Sequence, residues 1–148
     1  MRWSDKLALI MITFWVGALW AIGAAAYVLF QNLPSTQLAG MLAGQLFTYV
    51  AYLGLIAGFY LVIQRLFLSG TNALKQGFFW AVLFMLLLTI AGHFGIQPLL
   101  GQLKSAALPS DVMQSVFADR FKTWHGVASI AYLLQCLLGF VVVLKARS

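Results

Sequence analysis

Few side chains in this sequence could carry chemistry. There are two histidines, His93 and His125, one cysteine, Cys136, and three acids, Asp5, Asp111 and Asp119, with no glutamate. Two facing imidazoles could hold haem b as axial ligands, or a copper ion together with Cys136 or a methionine. The spacing does little to favour metal. No HxxxH, CxxC or methionine-rich run occurs, and Met85 and Met113 stand alone. On a helix Cys136 lies about three turns from His125, beyond direct co-ligation. The lone cysteine excludes an intrachain disulfide. Paired carboxylates, GxSxG, a Walker loop and GxGxxG are all missing, so no enzymatic activity of its own is expected.

The elements that would position these groups are apolar. Of the 148 residues, 63% are hydrophobic and 8% charged, and mean hydropathy is +0.95. Soluble domains carry about 25% charged residues, so most of this surface must face lipid. A bilayer core of about 30 Å needs roughly 20 apolar residues in a helix. Four stretches qualify, at about 7–30, 45–68, 78–100 and 123–144, giving one all-α, four-span membrane domain. Ala24-Ala25-Ala26 resembles a signal-peptide cleavage site, but the apolar run continues through Phe30 and reads as an uncleaved helix.

Orientation follows the basic residues. Arg2, Lys6, Arg65, Lys75, Lys145 and Arg147 flank one side; Lys104, Arg120 and Lys122 flank the other. Six against three places both termini in the cytoplasm, in a bacterial inner membrane. The net charge of +6 is scattered around the spans, which fits anionic lipid head groups and not nucleic acid. In the third loop, Asp111 with Gln114 forms a capping-box pattern. It predicts an amphipathic lead-in over 111–122 and a helix from Val112 to about Lys145 that projects beyond the outer surface. Ser35 is a weaker cap before the second span.

Depth then groups the polar residues. His93 rises to the outer half of the third span, and His125 enters the fourth span near the same level. Helical steps from His125 reach Ser129, Tyr132, Cys136 and Gly139; the matching stripe on the third span is Thr89, His93 and Gln97. Gln45, Tyr49 and Tyr52 on the second span, and Tyr27 on the first, share that half. Intramembrane ionisable residues mark sites, so the expected pocket is lined by Tyr49, Tyr52, Thr89, Gln97, Ser129 and Tyr132 around the two imidazoles. The plainer alternative makes His93 a fastener bonded to a tyrosine or to Gln97, and His125 an interfacial anchor beside Trp124. The inner half offers only Gln64 and Arg65, which argues against a proton relay across the bilayer. Gly40/Gly44 and Gly54/Gly58 have GxxxG spacing, and Gly17, Ala21 and Ala24 form a small-residue stripe. Such faces serve packing within the chain or a homo-oligomer. Trp15 and Trp20 fall at packing depth.

The stretches LPSTQLAGMLAGQLF, GHFGIQPLL and FKTWHGVASIAYLLQCLLGF resemble the transmembrane-protein-205-like family, known in bacteria as domain of unknown function 4149. The resemblance covers nearly the whole chain and implies a four-span bundle. Its family-type residues would be Pro34, Gly40, Gly44, Phe47, His93, Pro98, Phe121, His125 and Gly126. Eukaryotic relatives are linked to drug resistance and trafficking, without an agreed chemistry. A more distant likeness to copper-resistance D-type membrane domains implies haem or metal at His93 and His125. The sequence therefore reads as a binding, assembly or transport-accessory component. A membrane redox component and an oligomeric solute transporter are the alternatives.

Overall fold

The structure, a computed structural model, describes residues 2–147. Helix α1 covers Trp3–Asn32, α2 Thr36–Ser69, α3 Gly77–Ile90, α4 Gln97–Ala107 and α5 Ala118–Leu144. A π-helical turn, Ala91–Ile96, joins α3 to α4 in one rod. The described residues thus form four rods long and apolar enough to cross a membrane. Large apolar side chains such as Phe14, Ile56, Ile130 and Leu133 point outward. Contiguous apolar surface of that extent suits acyl chains and not water. Lipid cannot bond to peptide groups, and a helix satisfies them internally.

Local chemistry sets the ends of the rods. Ser35 Oγ accepts from the Leu38 amide at 3.3 Å, so the weaker cap is the one that starts α2. Gly70, at φ +56°, terminates α2 in a conformation that disfavours a Cβ. Nothing between Thr36 and Gln45 interrupts the helix, so the lead-in and the second span form one rod instead of starting at 45. The third rod likewise runs past 100 to Ala107, with Pro98 just after the π turn, where the α-helical hydrogen-bond ladder is already interrupted. The expected helix from Val112 does not form. Asp111 accepts from the Met113 amide at 3.1 Å and caps only a 3₁₀ turn, Val112–Gln114. Ser115 Oγ then donates to the Val112 carbonyl at 2.7 Å and accepts from the Phe117 amide at 3.2 Å. These short-range bonds compete with a helix, and α5 begins at Ala118.

The rods pack as a ring in the order α1, α2, α3, α5, with α5 closing against α1. Its tight core centres on Trp15, which is 0% exposed, with Leu19, Leu61, Val82, Met85 and Val142 around it. Gly54 and Gly58 let the Trp15 ring lie against α2: a Cβ at Gly54 would come within 2.7 Å of Trp15 Nε1. One at Gly58 would meet Leu86 Cδ1 at 2.8 Å. This GxxxG pair therefore serves packing within the chain. Gly139 does the same between α5 and Val16 of α1, at 3.1 Å. The Gly17, Ala21 and Ala24 stripe instead faces outward.

Both ends of the chain meet at one end of the ring. Arg65 Nη1 donates to Gln76 Oε1 at 2.8 Å, and its Nη2 donates to the Ala146 carbonyl at 3.4 Å. Gln64 Nε2 donates to Asp5 Oδ1 at 3.3 Å, and Tyr60 Oη donates to the Ser4 carbonyl at 2.9 Å. The tight core occupies this half, and the helices part in the other.

Candidate functional site

The parted half holds a cavity of about 290 Å³ walled by all four rods. Phe30 and Phe47 supply apolar walls from α1 and α2, and Leu88 does so from α3. His93 and His125 both line it, as do Thr89, Gln97, Ser129 and Tyr132. Six of the eight residues assigned to a pocket from the sequence are thus brought together. The other two are not. Tyr49 is 73% exposed and Tyr52 is 51% exposed, and neither lines the cavity. Helical rotation explains both: Phe47, Val50 and Ala51 take the inward positions of α2, which turns residues 49 and 52 outward. Tyr52 still lies edge-on to the His93 ring, with centroids 5.1 Å apart.

His93 sits inside the π turn. Its ring also lies edge-on to Phe94, at 4.8 Å. A π turn inserts a residue into the α-helical register and is common where a side chain is aimed at a site. His125 stacks flat on Phe121, with centroids 5.7 Å apart and 9° between the planes. Neither imidazole has a hydrogen-bond partner for its ring nitrogens among the described residues. The expected bond from His93 to a tyrosine or Gln97 is replaced by ring contacts.

Other groups fasten the helices. Tyr132 Oη donates to the Leu19 carbonyl, tying α5 to α1. Trp20 Nε1 donates to the Cys136 carbonyl at 3.2 Å, and its ring stacks on Phe140 at 4.9 Å. At the cavity floor Thr89 Oγ1 donates to the Met85 carbonyl at 2.8 Å and lies 3.0 Å from Gln135 Oε1. Gln135 is only 8% exposed. It was missed in the sequence, although an amide amid apolar neighbours, three residues beyond Tyr132, was a usable signal. Gln135→Leu is expected to lower bundle stability by about 1 kcal/mol, the scale of a hydrogen bond between membrane helices. Unfolding in mixed micelles measures it.

The donor set suits metal poorly. Among the described residues no three His, Cys, Asp or Glu side chains come together. Cys136 is buried in the tight core and does not line the cavity, which leaves two imidazoles. A second recess of about 470 Å³ opens at the terminal end beside Asp5, Gln64 and Arg65. There Gln64 bonds to Asp5, and Arg65 bonds to Gln76 and to the Ala146 carbonyl. The upper cavity is the one that presents uncommitted ring nitrogens.

Residues 10–109 match the model of a family described as a domain of unknown function (DUF4149). No curated protein and no solved structure matches the chain.

Proposed function

The chain belongs to the DUF4149 family, a membership that brings no activity with it, and we propose that it is a membrane-embedded binding protein. In this reading it receives a small, largely apolar molecule in the cavity between its helices and serves as a binding or transport-accessory component. The observation that carries this is the pair of imidazoles, from separate rods, lining one cavity with uncommitted nitrogens. Sites between helices of a bundle are commonly apolar with a few convergent polar groups, and ionisable side chains are rarely kept in a membrane without use. Size limits the occupant. At about 290 Å³ the space lies near the lower end of ligand pockets, roughly 300–1,000 Å³, so a single chain or small ring suits it better than a two-chain lipid. Saturable labelling by a photoreactive dodecanol probe in nanodiscs tests the reading; labelling that never saturates, spread evenly over lipid-facing helices, would overturn it.

We further propose a bacterial inner-membrane location with both termini inside, so that the cavity lies in the outer leaflet. The convergence of the chain ends with Arg65 and Gln76 at one end of the ring supports this, because it gathers the six basic flanking residues on one side. A reporter enzyme active only in the periplasm, fused at the C-terminal end of the chain, is expected to be silent. Strong activity would invert the topology.

A further inference from the structure

The cavity carries uncommitted polar atoms at its floor as well as at its rim. Gln135 is only 8% exposed and Thr89 only 4%, yet both line the cavity. Thr89 Oγ1, 3.0 Å from Gln135 Oε1, takes up that end of the amide. The amide nitrogen, at the other end, has no partner among the described residues. The tight core lies directly beneath: a Cβ on Gly54 would sit 3.5 Å from Thr89 Oγ1 and 2.7 Å from Trp15 Nε1. A donor left unbonded in apolar surroundings is costly, and an occupant that brings an acceptor to the floor removes that cost.

The rim repeats the arrangement at a distance. His125, which is exposed, precedes Gln135 by ten residues on the unbroken α5, so the two levels lie about 15 Å apart along the helix axis. Gln97 lines the rim from α4 and makes no side-chain bond among the described residues. The facing wall, from α1 and α2, is built by Ala26, Phe30, Phe47 and Val50. No Asp, Glu, Lys or Arg lines the cavity. An ionised group would therefore enter without a fixed counter-charge, which is expensive inside a membrane.

We propose that the occupant is an uncharged, two-ended molecule: an apolar middle with a hydrogen-bonding oxygen at each end, one on the Gln135 amide and the other on Gln97 and the imidazole of His125. This rests on the binding reading above and names its ligand class.

Isomers of one diol provide the test. 1,10-Decanediol and 1,2-decanediol carry the same groups, but only the first has them far enough apart to meet both levels. An extended chain covers about 1.2 Å per bond, so the oxygens of 1,10-decanediol lie about 13 Å apart and two hydrogen bonds close the remaining distance. Each diol, and 1-decanol, competes against the photoreactive dodecanol probe on the full chain in phosphatidylcholine nanodiscs, with every competitor counted as its amount in the bilayer. 1,10-Decanediol is expected to compete about fivefold or more better than either of the others, the gain of one net hydrogen bond. Gln135→Leu is expected to abolish that advantage while 1-decanol still competes. Gln45→Leu, which removes an exposed amide of α2 outside the cavity, is expected to keep it. The isomer comparison uses the parent chain, so it decides the proposal even if Gln135→Leu fails to fold. Decanedioate, ionised at both ends, is expected to compete no better than 1-decanol; a clear gain over 1,10-decanediol would overturn the uncharged assignment. If the two diols and 1-decanol compete equally, or none displaces a saturable probe, the two-ended assignment is wrong and the cavity reading stands. If the probe itself never saturates, both fall.

Discussion

Gly54→Ala is expected to destabilise the bundle by about 1–3 kcal/mol, the cost of overpacking a well-filled interior. A helical glycine changed to alanine ordinarily gains about 0.5–1 kcal/mol. Here the new methyl would lie 2.7 Å from Trp15 Nε1 and 3.3 Å from Cε2. The Trp15 ring is 0% exposed and has no room to yield. Gly17→Ala provides the opposite sign: nothing lies within 4 Å of its added methyl, so it is expected to be neutral or slightly stabilising. Trp15→Phe in the Gly54→Ala background removes the crowded nitrogen and should restore part of the loss. That would be a coupling of about 0.5–3 kcal/mol for contacting residues. Unfolding midpoints of the two single variants and the double variant measure all three terms. The contrast matters because lipid tails are as apolar as leucine. Without a hydrophobic drive between helices, close packing must hold the ring together.

The second large effect concerns the cavity. Ala128 and Ala131 line it from α5, and both are half-buried. Ala128→Phe places a ring in the ligand's space without touching the Trp15 core. Binding is expected to fall about tenfold or more, a loss of roughly 1.4 kcal/mol or greater, while the melting temperature stays close to that of the parent. The Gly54 and Ala128 variants therefore separate two halves of one molecule. One should lose stability and keep its pocket when folded; the other should lose its pocket and keep stability.

Much of this was legible in the residues. Apolar runs of span length can only be helices in lipid, so four rods followed directly from hydropathy. Helical spacing from His125 found Ser129 and Tyr132, because 3.6-residue periodicity survives in an uninterrupted helix; Thr89 and Gln97, four residues to either side of His93, line the cavity even though a π turn separates them. The tyrosines of α2 were placed by depth alone, which says nothing about rotation. Tyr49 and Tyr52 therefore turned out on the outer face. The π turn at His93 is a change of register with no compositional signature. The break before α5 came from Ser115, whose hydroxyl satisfies two nearby backbone groups and so undoes a helix that the Asp111 cap predicts. Lys104 looked like one of three loop cations. Its place beside Gly40 appears only once α4 is seen to continue the third rod.

The most direct test of the central claim is saturable photolabelling of the full-length protein in nanodiscs with the dodecanol probe, mapped to residues. Saturating adducts on the π turn and on the first half of α5, lost in Ala128→Phe at unchanged melting temperature, are the predicted result. Equal labelling of the parent and Ala128→Phe would contradict the account.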